Sequence, residues 1–212
     1  AASIHSCLCF APPLHPLLLV FPPQVSTDEA WALAMYLAPA HPTLFYHKLN
    51  EYLRIDRGFL VPFMQMLKLL LNGLGHLGPT ATTVWRCALH DVRDSYPMGS
   101  RVTWWGFSSC VRSMDLLERD EVIGHTGVRT LFMIATNSAF DVTQFSPYQE
   151  NDEMLLPPGL TFRVTGHQDI GDRLHVIQLA QVHPPHKSPR TNLHAQISTH
   201  PPRTLHAPST HA

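Results

Sequence analysis

The hydrophobic period of this chain changes once, at Gly78-Pro79, and that change constrains its fold more than any other feature. Upstream, apolar residues recur at helical spacing; downstream, short runs rich in Val, Ile, Thr and aromatics alternate with turn signals. Ser26-Thr-Asp-Glu29 has the form of a capping box and predicts a helix over Ala30–Leu37 that stops before Pro39. A second helix is expected over Thr43–Arg54, with Leu44, Phe45, Leu49 and Leu53 on one face. A third, about Phe59–Leu71, is apolar enough to be packed on most sides and should end at the C-cap signal Asn72-Gly73. Strands are expected over Thr82–Ala88, Arg101–Ser109, Val128–Ala135, Glu153–Leu156, Leu160–Thr165 and Leu174–Gln181. Tyr96–Gly99, Gly124–Gly127, Pro157–Gly159 and Gly166–Gly171 read as the turns between them. Helices first and strands afterwards is an α+β order, not the alternation of a parallel α/β fold.

Composition divides the chain into a proline-rich leader (1–25), a globular domain (26–182) and a tail (183–212) with too few large apolar side chains to offset its ordering entropy. The leader and tail are therefore expected to be disordered. The apolar run Cys7–Phe21 is broken by Pro12, Pro13 and Pro16, follows no basic residue and is too short to span a bilayer, so no transmembrane segment and no clean signal peptide are expected. A formal net charge of -1 argues against a protein that coats nucleic acid or an anionic membrane. Cys7, Cys9, Cys87 and Cys110 form neither a CxxC pair nor a zinc spacing, and a structural disulfide is the minority reading. The tail histidines could take up transition metals weakly, but nothing preorganises them, and no metal site is assigned. No P-loop is present, and a Rossmann site is disfavoured.

Three features invite chemistry. Arg86 stands inside the strand pattern Val84-Trp-Arg-Cys-Ala-Leu89, where a guanidinium needs a carboxylate or phosphate partner. A buried structural ion pair is the plain alternative. The run Val102-Thr-Trp-Trp-Gly-Phe-Ser-Ser-Cys110 carries tandem tryptophans into small hydroxyl residues, and Gly106 permits close approach of a ligand or backbone. Glu153 follows Glu150, Asn151 and Asp152 and directly precedes the apolar strand Met154–Leu156; period-2 alternation would put Asn151 and Glu153 on one face.

Taken in order, strand arginine, Phe-x-Ser strand end and acid before Leu-Leu-Pro, the chain resembles the arginine-specific mono-ADP-ribosyltransferases of the arginine-serine-glutamate class. The resemblance runs from about Asp28 to Val182 and is most specific at Trp104–Cys110 and Glu153–Gly159. It implies N-terminal helices followed by a two-sheet, split β-core. It implies NAD as co-substrate and transfer of ADP-ribose to a guanidinium, on a protein or a small molecule, with release of nicotinamide. A weakened relative that binds or only hydrolyses NAD is the alternative on the same scaffold. By position, Arg86 would pair with NAD phosphate, Ser109 would hold the glutamate and the nicotinamide ribose, and Glu153 would be the catalytic carboxylate. Its charge would bond a ribose hydroxyl and stabilise the positive charge that develops as nicotinamide leaves.

The family's usual Glu or Gln two residues before the catalytic glutamate is Asn151 here, and Glu150 could engage the acceptor only if the backbone bulges. Cys87 replaces the glycine after the arginine, and Val111 the residue that closes the serine element. The segment Ser138–Gln149 would be the mobile loop that presents the acceptor, with Phe140, Phe145 and Tyr148 more often loop anchors than acceptor contacts. A monomer is expected, and the resemblance slightly favours a secreted or cell-surface location.

Overall fold

The computed structural model describes residues 22–38, 45–55, 57–114, 127–147, 152–171 and 173–182. The leader to residue 21 and the tail from residue 183 lie outside the described residues, as do the cysteines at 7 and 9. Three helices come first: α1 (Thr27–Leu37), α2 (Phe45–Ile55) and α3 (Met64–Leu77), the last entered through a 3-10 turn at Arg57–Phe63. Seven strands follow: β1 (Thr80–Ala88), β2 (Arg101–Trp104), β3 (Ser108–Val111), β4 (Arg129–Asp141), β5 (Glu153–Leu156), β6 (Leu160–Asp169) and β7 (Leu174–Gln181).

The capping box forms as read. Ser26 Oγ accepts from the Glu29 amide, and the Glu29 carboxylate accepts from the Ser26 amide at 2.9 Å, which satisfies two donors that the first turn leaves open. Val25, placed with the leader by composition, is buried against the helices.

The third helix departs from expectation at both ends. It starts as a 3-10 turn holding Pro62, whose missing amide suits a helix entry, and it runs through Asn72-Gly73 to a C-cap at Gly78, where φ is 77°. Gly73 serves packing instead: a Cβ there would lie 3.1 Å from Leu33 Cδ1 and 3.3 Å from Glu29 Cβ of α1. Nor is this stretch packed on most sides. Leu60, Leu70 and Leu74 are buried with the other helices' apolar residues, but Phe59, Val61, Met64 and Leu71 are exposed. By length and composition alone, Gly58–Leu77 is the one helical stretch among the described residues that could cross a membrane.

The strands form one mixed, seven-stranded sheet in the order β1-β3-β5-β4-β7-β6-β2, with β1 also paired to β4. The pairings β1–β3, β3–β5, β5–β4 and β4–β1 close a ring of four strands, and β4 joins that ring to the outer half through a parallel pairing with β7. The predicted strand Arg101–Ser109 is really two. Its first half pairs with β6 at the far edge, and its second lies between β1 and β5. The crossing falls at Trp105–Phe107. β6 extends beyond the predicted turn at Gly166 because a register irregularity between Val164 and Gly166 absorbs the glycine within the strand.

Alternation along the strands separates two principal cores. Trp104, Cys110, Phe132, Met154, Leu156 and Phe162 pack inside the sheet. Phe107, Val142, Phe145 and Leu155 pack against the helices.

Candidate active site

Glu153 is the first residue of β5, opposite Val111 of β3. Leu155 belongs to the helical core, while Met154 and Leu156 face the sheet core, so the period of two projects Glu153 toward the helices. Glu153 is only 8% exposed. Burial pushes its carboxyl above the ordinary carboxylate range, and hydrogen bonds from the Ser146 and Ser109 hydroxyls oppose that shift. Its carbonyl oxygen accepts from the Val142 amide at 3.0 Å and from Thr143 Oγ1 at 3.4 Å.

Arg86, 7% exposed, donates from Nη1 to the Ser109 carbonyl at 2.6 Å. One serine thus ties two charged groups together, the guanidinium through its backbone and the carboxylate through its hydroxyl. The charges of Arg86 and Glu153 both reach the Tyr36 hydroxyl and the Cys110 thiol. Burial pushes the Cys110 thiol up to about 12, which leaves it neutral and removes it as a nucleophile at ordinary pH. Cys87 and Cys110 are both buried, reduced thiols.

Two residues that sequence reasoning passed over complete this wall. Asn50 on α2 donates to the Tyr36 hydroxyl at 2.8 Å and accepts from the Phe107 amide at 2.8 Å, so it fixes α2 to α1 and to the chain just before β3. One turn later, Arg54 lies over Gly106: a Cβ there would sit 3.2 Å from the Arg54 Nε and Nη2 and 3.0 Å from Asn50 Oδ1. The absent side chain at Gly106 is what admits both. Desolvation, and after it the charge of Arg86, hold the Arg54 guanidinium below its ordinary range. The available signal was the pair Asn50 and Arg54, spaced i,i+4 with polar groups on a helix whose neighbouring Leu49 is fully buried.

The acceptor-side candidates Glu150 and Asn151 lie outside the described residues, as do Tyr148 and Gln149. Asp152, the first described residue after them, has φ of 43°, and β5 begins at Glu153. The proposed loop Ser138–Gln149 is also shorter than expected at its start: β4 continues to Asp141, and a 3-10 turn covers Thr143–Phe145. Phe145 is 2% exposed and anchors this turn in the helical core, with Phe140 packed against the same cluster.

The model described as NAD:arginine ADP-ribosyltransferase matches residues 13–184. Curated protein sequences gave no match. Among solved structures, the Vis toxin of Vibrio splendidus, an ADP-ribosyltransferase solved with agmatine, is similar at 18% identity and a TM-score of 0.58, over 75% of this chain and 76% of that one. The ADP-ribosyltransferase HopU1 of Pseudomonas syringae pv. Tomato DC3000 is similar at 19% identity and a TM-score of 0.57, over 73% and 76%. Exoenzyme S of Pseudomonas aeruginosa, solved with human 14-3-3 protein beta and carba-NAD, is similar at 16% identity and a TM-score of 0.56, over 84% and 86%. At such identities the likeness speaks to the fold.

Proposed function

The chain belongs to the NAD:arginine ADP-ribosyltransferase family, and from that premise we propose that it transfers ADP-ribose from NAD to an arginine-type guanidinium and releases nicotinamide. NAD is the co-substrate of the family. The residues present fit it. Arg86 and Arg54 set two guanidiniums close enough for one charge to depress the other's proton affinity, an arrangement that a diphosphate would relieve. NAD supplies the activated ribose and the leaving group. The protein's part is to bind, orient and place charge.

In this reading Arg86 does two things. Its Nη1 holds the Ser109 carbonyl, and the remaining guanidinium donors would hold phosphate. Ser109 passes that constraint to Glu153. Glu153 accepts a hydrogen bond from a ribose hydroxyl and holds a negative charge where positive charge develops, which lowers the barrier without a covalent step. Because the carboxylate is buried, its field is screened less than it would be in water. The observation that supports the assignment is the meeting of two hydroxyls on a buried Glu153 carboxylate beside a strand-borne arginine.

The guanidine acceptor is proposed on the family membership and on the agmatine complex of the Vis toxin. Asn151 stands where the family pattern has Glu or Gln two positions before the glutamate, and Asn151 and Glu150 are proposed as the acceptor-side residues. The test is nicotinamide release from NAD with and without agmatine. Acceptor-dependent release that is lost in Glu153→Gln, with NAD binding kept, supports the transferase. Release that agmatine does not change reduces the activity to NAD hydrolysis, and no release at all overturns the enzyme reading.

A further inference from the structure

Ser146 is fully buried, and a hydroxyl in that position needs a partner. Its partner is the Glu153 carboxylate. The turn that carries it is fixed from several sides: Phe145 N donates to the Val142 carbonyl at 2.9 Å, Ser146 N to the Thr143 carbonyl at 3.1 Å, and Thr143 N to Asp141 Oδ1 at 3.1 Å. Asp141 is in turn paired with Arg112 at 2.7 Å, and Val142 and Phe145 are sunk in the helical core. The same turn holds the other end of the glutamate through the Val142 and Thr143 bonds to the Glu153 carbonyl.

We propose that Ser146 is a positioning residue for Glu153, a second hydroxyl that fixes the carboxylate from the turn after β4 while Ser109 fixes it from β3. The inference rests on Glu153 being the catalytic carboxylate. A buried glutamate with a single donor keeps alternative rotamers; donors from two separately anchored elements leave it one. Such prior orientation is what electrostatic stabilisation of a developing charge requires. Both bonds also favour the ionised form, so removing either should make Glu153 harder to ionise.

The test is Ser146→Ala, read first without catalysis, by side-chain carbon NMR of Glu153 in the unliganded protein. The midpoint of its titration should rise by about one pH unit, the size expected for one hydrogen bond to a charged group. In the NAD reaction the acid limb of the rate profile should move up with it, and kcat should fall by about tenfold while KM for NAD stays within about twofold. Phe145→Leu, in the same turn, should lower the thermal midpoint and leave the titration in place. Should the alanine variant lose its cooperative unfolding transition, Ser146→Cys, which keeps the volume with a weaker donor, is read for the same shift. An unchanged Glu153 titration, or an equal shift in Phe145→Leu, overturns the proposal. If the wild type releases no nicotinamide, the catalytic reading fails, and the titration still decides whether Ser146 holds the carboxylate.

Discussion

The Arg86 guanidinium donates to the Ser109 carbonyl at 2.6 Å, so the cation that is proposed to meet phosphate also sets the strand that carries the glutamate's hydroxyl donor. A lysine ammonium at that position could make one of these contacts but not both. Arg86→Lys is expected to weaken NAD binding by about tenfold, equivalent to about 1.4 kcal/mol. It should also lower the thermal midpoint. Titration calorimetry with NAD and a melting curve measure the two effects, and an unchanged affinity would remove Arg86 from the binding site.

Glu153 should cost stability in its ionised form. Burial raises its pKa above the ordinary carboxylate range, so the folded chain holds this proton more tightly than the unfolded one. The cost is therefore complete above the folded pKa and fades as pH falls through it. Glu153→Gln removes the charge at nearly constant shape, and should raise the thermal midpoint. That gain belongs to about pH 7.5 and should be absent at about pH 4. Melting curves across pH check both the sign and the window.

Asn50→Ala leaves the Phe107 amide without its side-chain acceptor and takes the donor from Tyr36. An orphaned buried amide costs about 1–3 kcal/mol. The urea midpoint should fall with the slope unchanged, because the surface exposed on unfolding stays the same. A change confined to activity would mean that Asn50 is not the structural tie between α2 and β3.

Ser26→Ala tests the helical layer alone. It removes the hydroxyl that accepts from the Glu29 amide and should cost about 0.5–2 kcal/mol. Glu29 retains its bond from the Ser26 backbone amide and its contact with His76 at 3.1 Å, so the α1–α3 junction persists. Thermal stability should fall, with nicotinamide release at 25 °C unchanged.

Local chemistry was legible where it was self-contained. The capping box states its own partners three residues apart, and the bounds of β5 and β7 coincide with runs bordered by turn residues. The misread places all depend on contacts distant in sequence. Asn72-Gly73 has the composition of a helix end, but Gly73 is there because Leu33 crosses it. Arg101–Ser109 is one apolar run in sequence, and only the separate demands of β6 and β5 divide it. At the site, Arg86, Ser109 and Glu153 stood out by position in a recognisable order. Asn50, Arg54 and Ser146 did not, since an amphipathic helix carries polar residues anyway and a serine before a proline reads as a turn.

The sequence by itself determined the helix-to-strand order, the family and the charged and hydroxyl groups available for chemistry, because periodicity, caps and motif spacing are properties of neighbouring residues. Tertiary structure decided which groups share a burial site. β5 lies between β3 and β4 and faces the helices, and this brings Ser109 from one strand and Ser146 from the turn after another onto the same carboxylate. It also gave Asp152 a φ of 43°, directly ahead of the strand that Glu153 opens. Long-range pairing sets both, because a strand's register and face are chosen by its partners and not by its own residues.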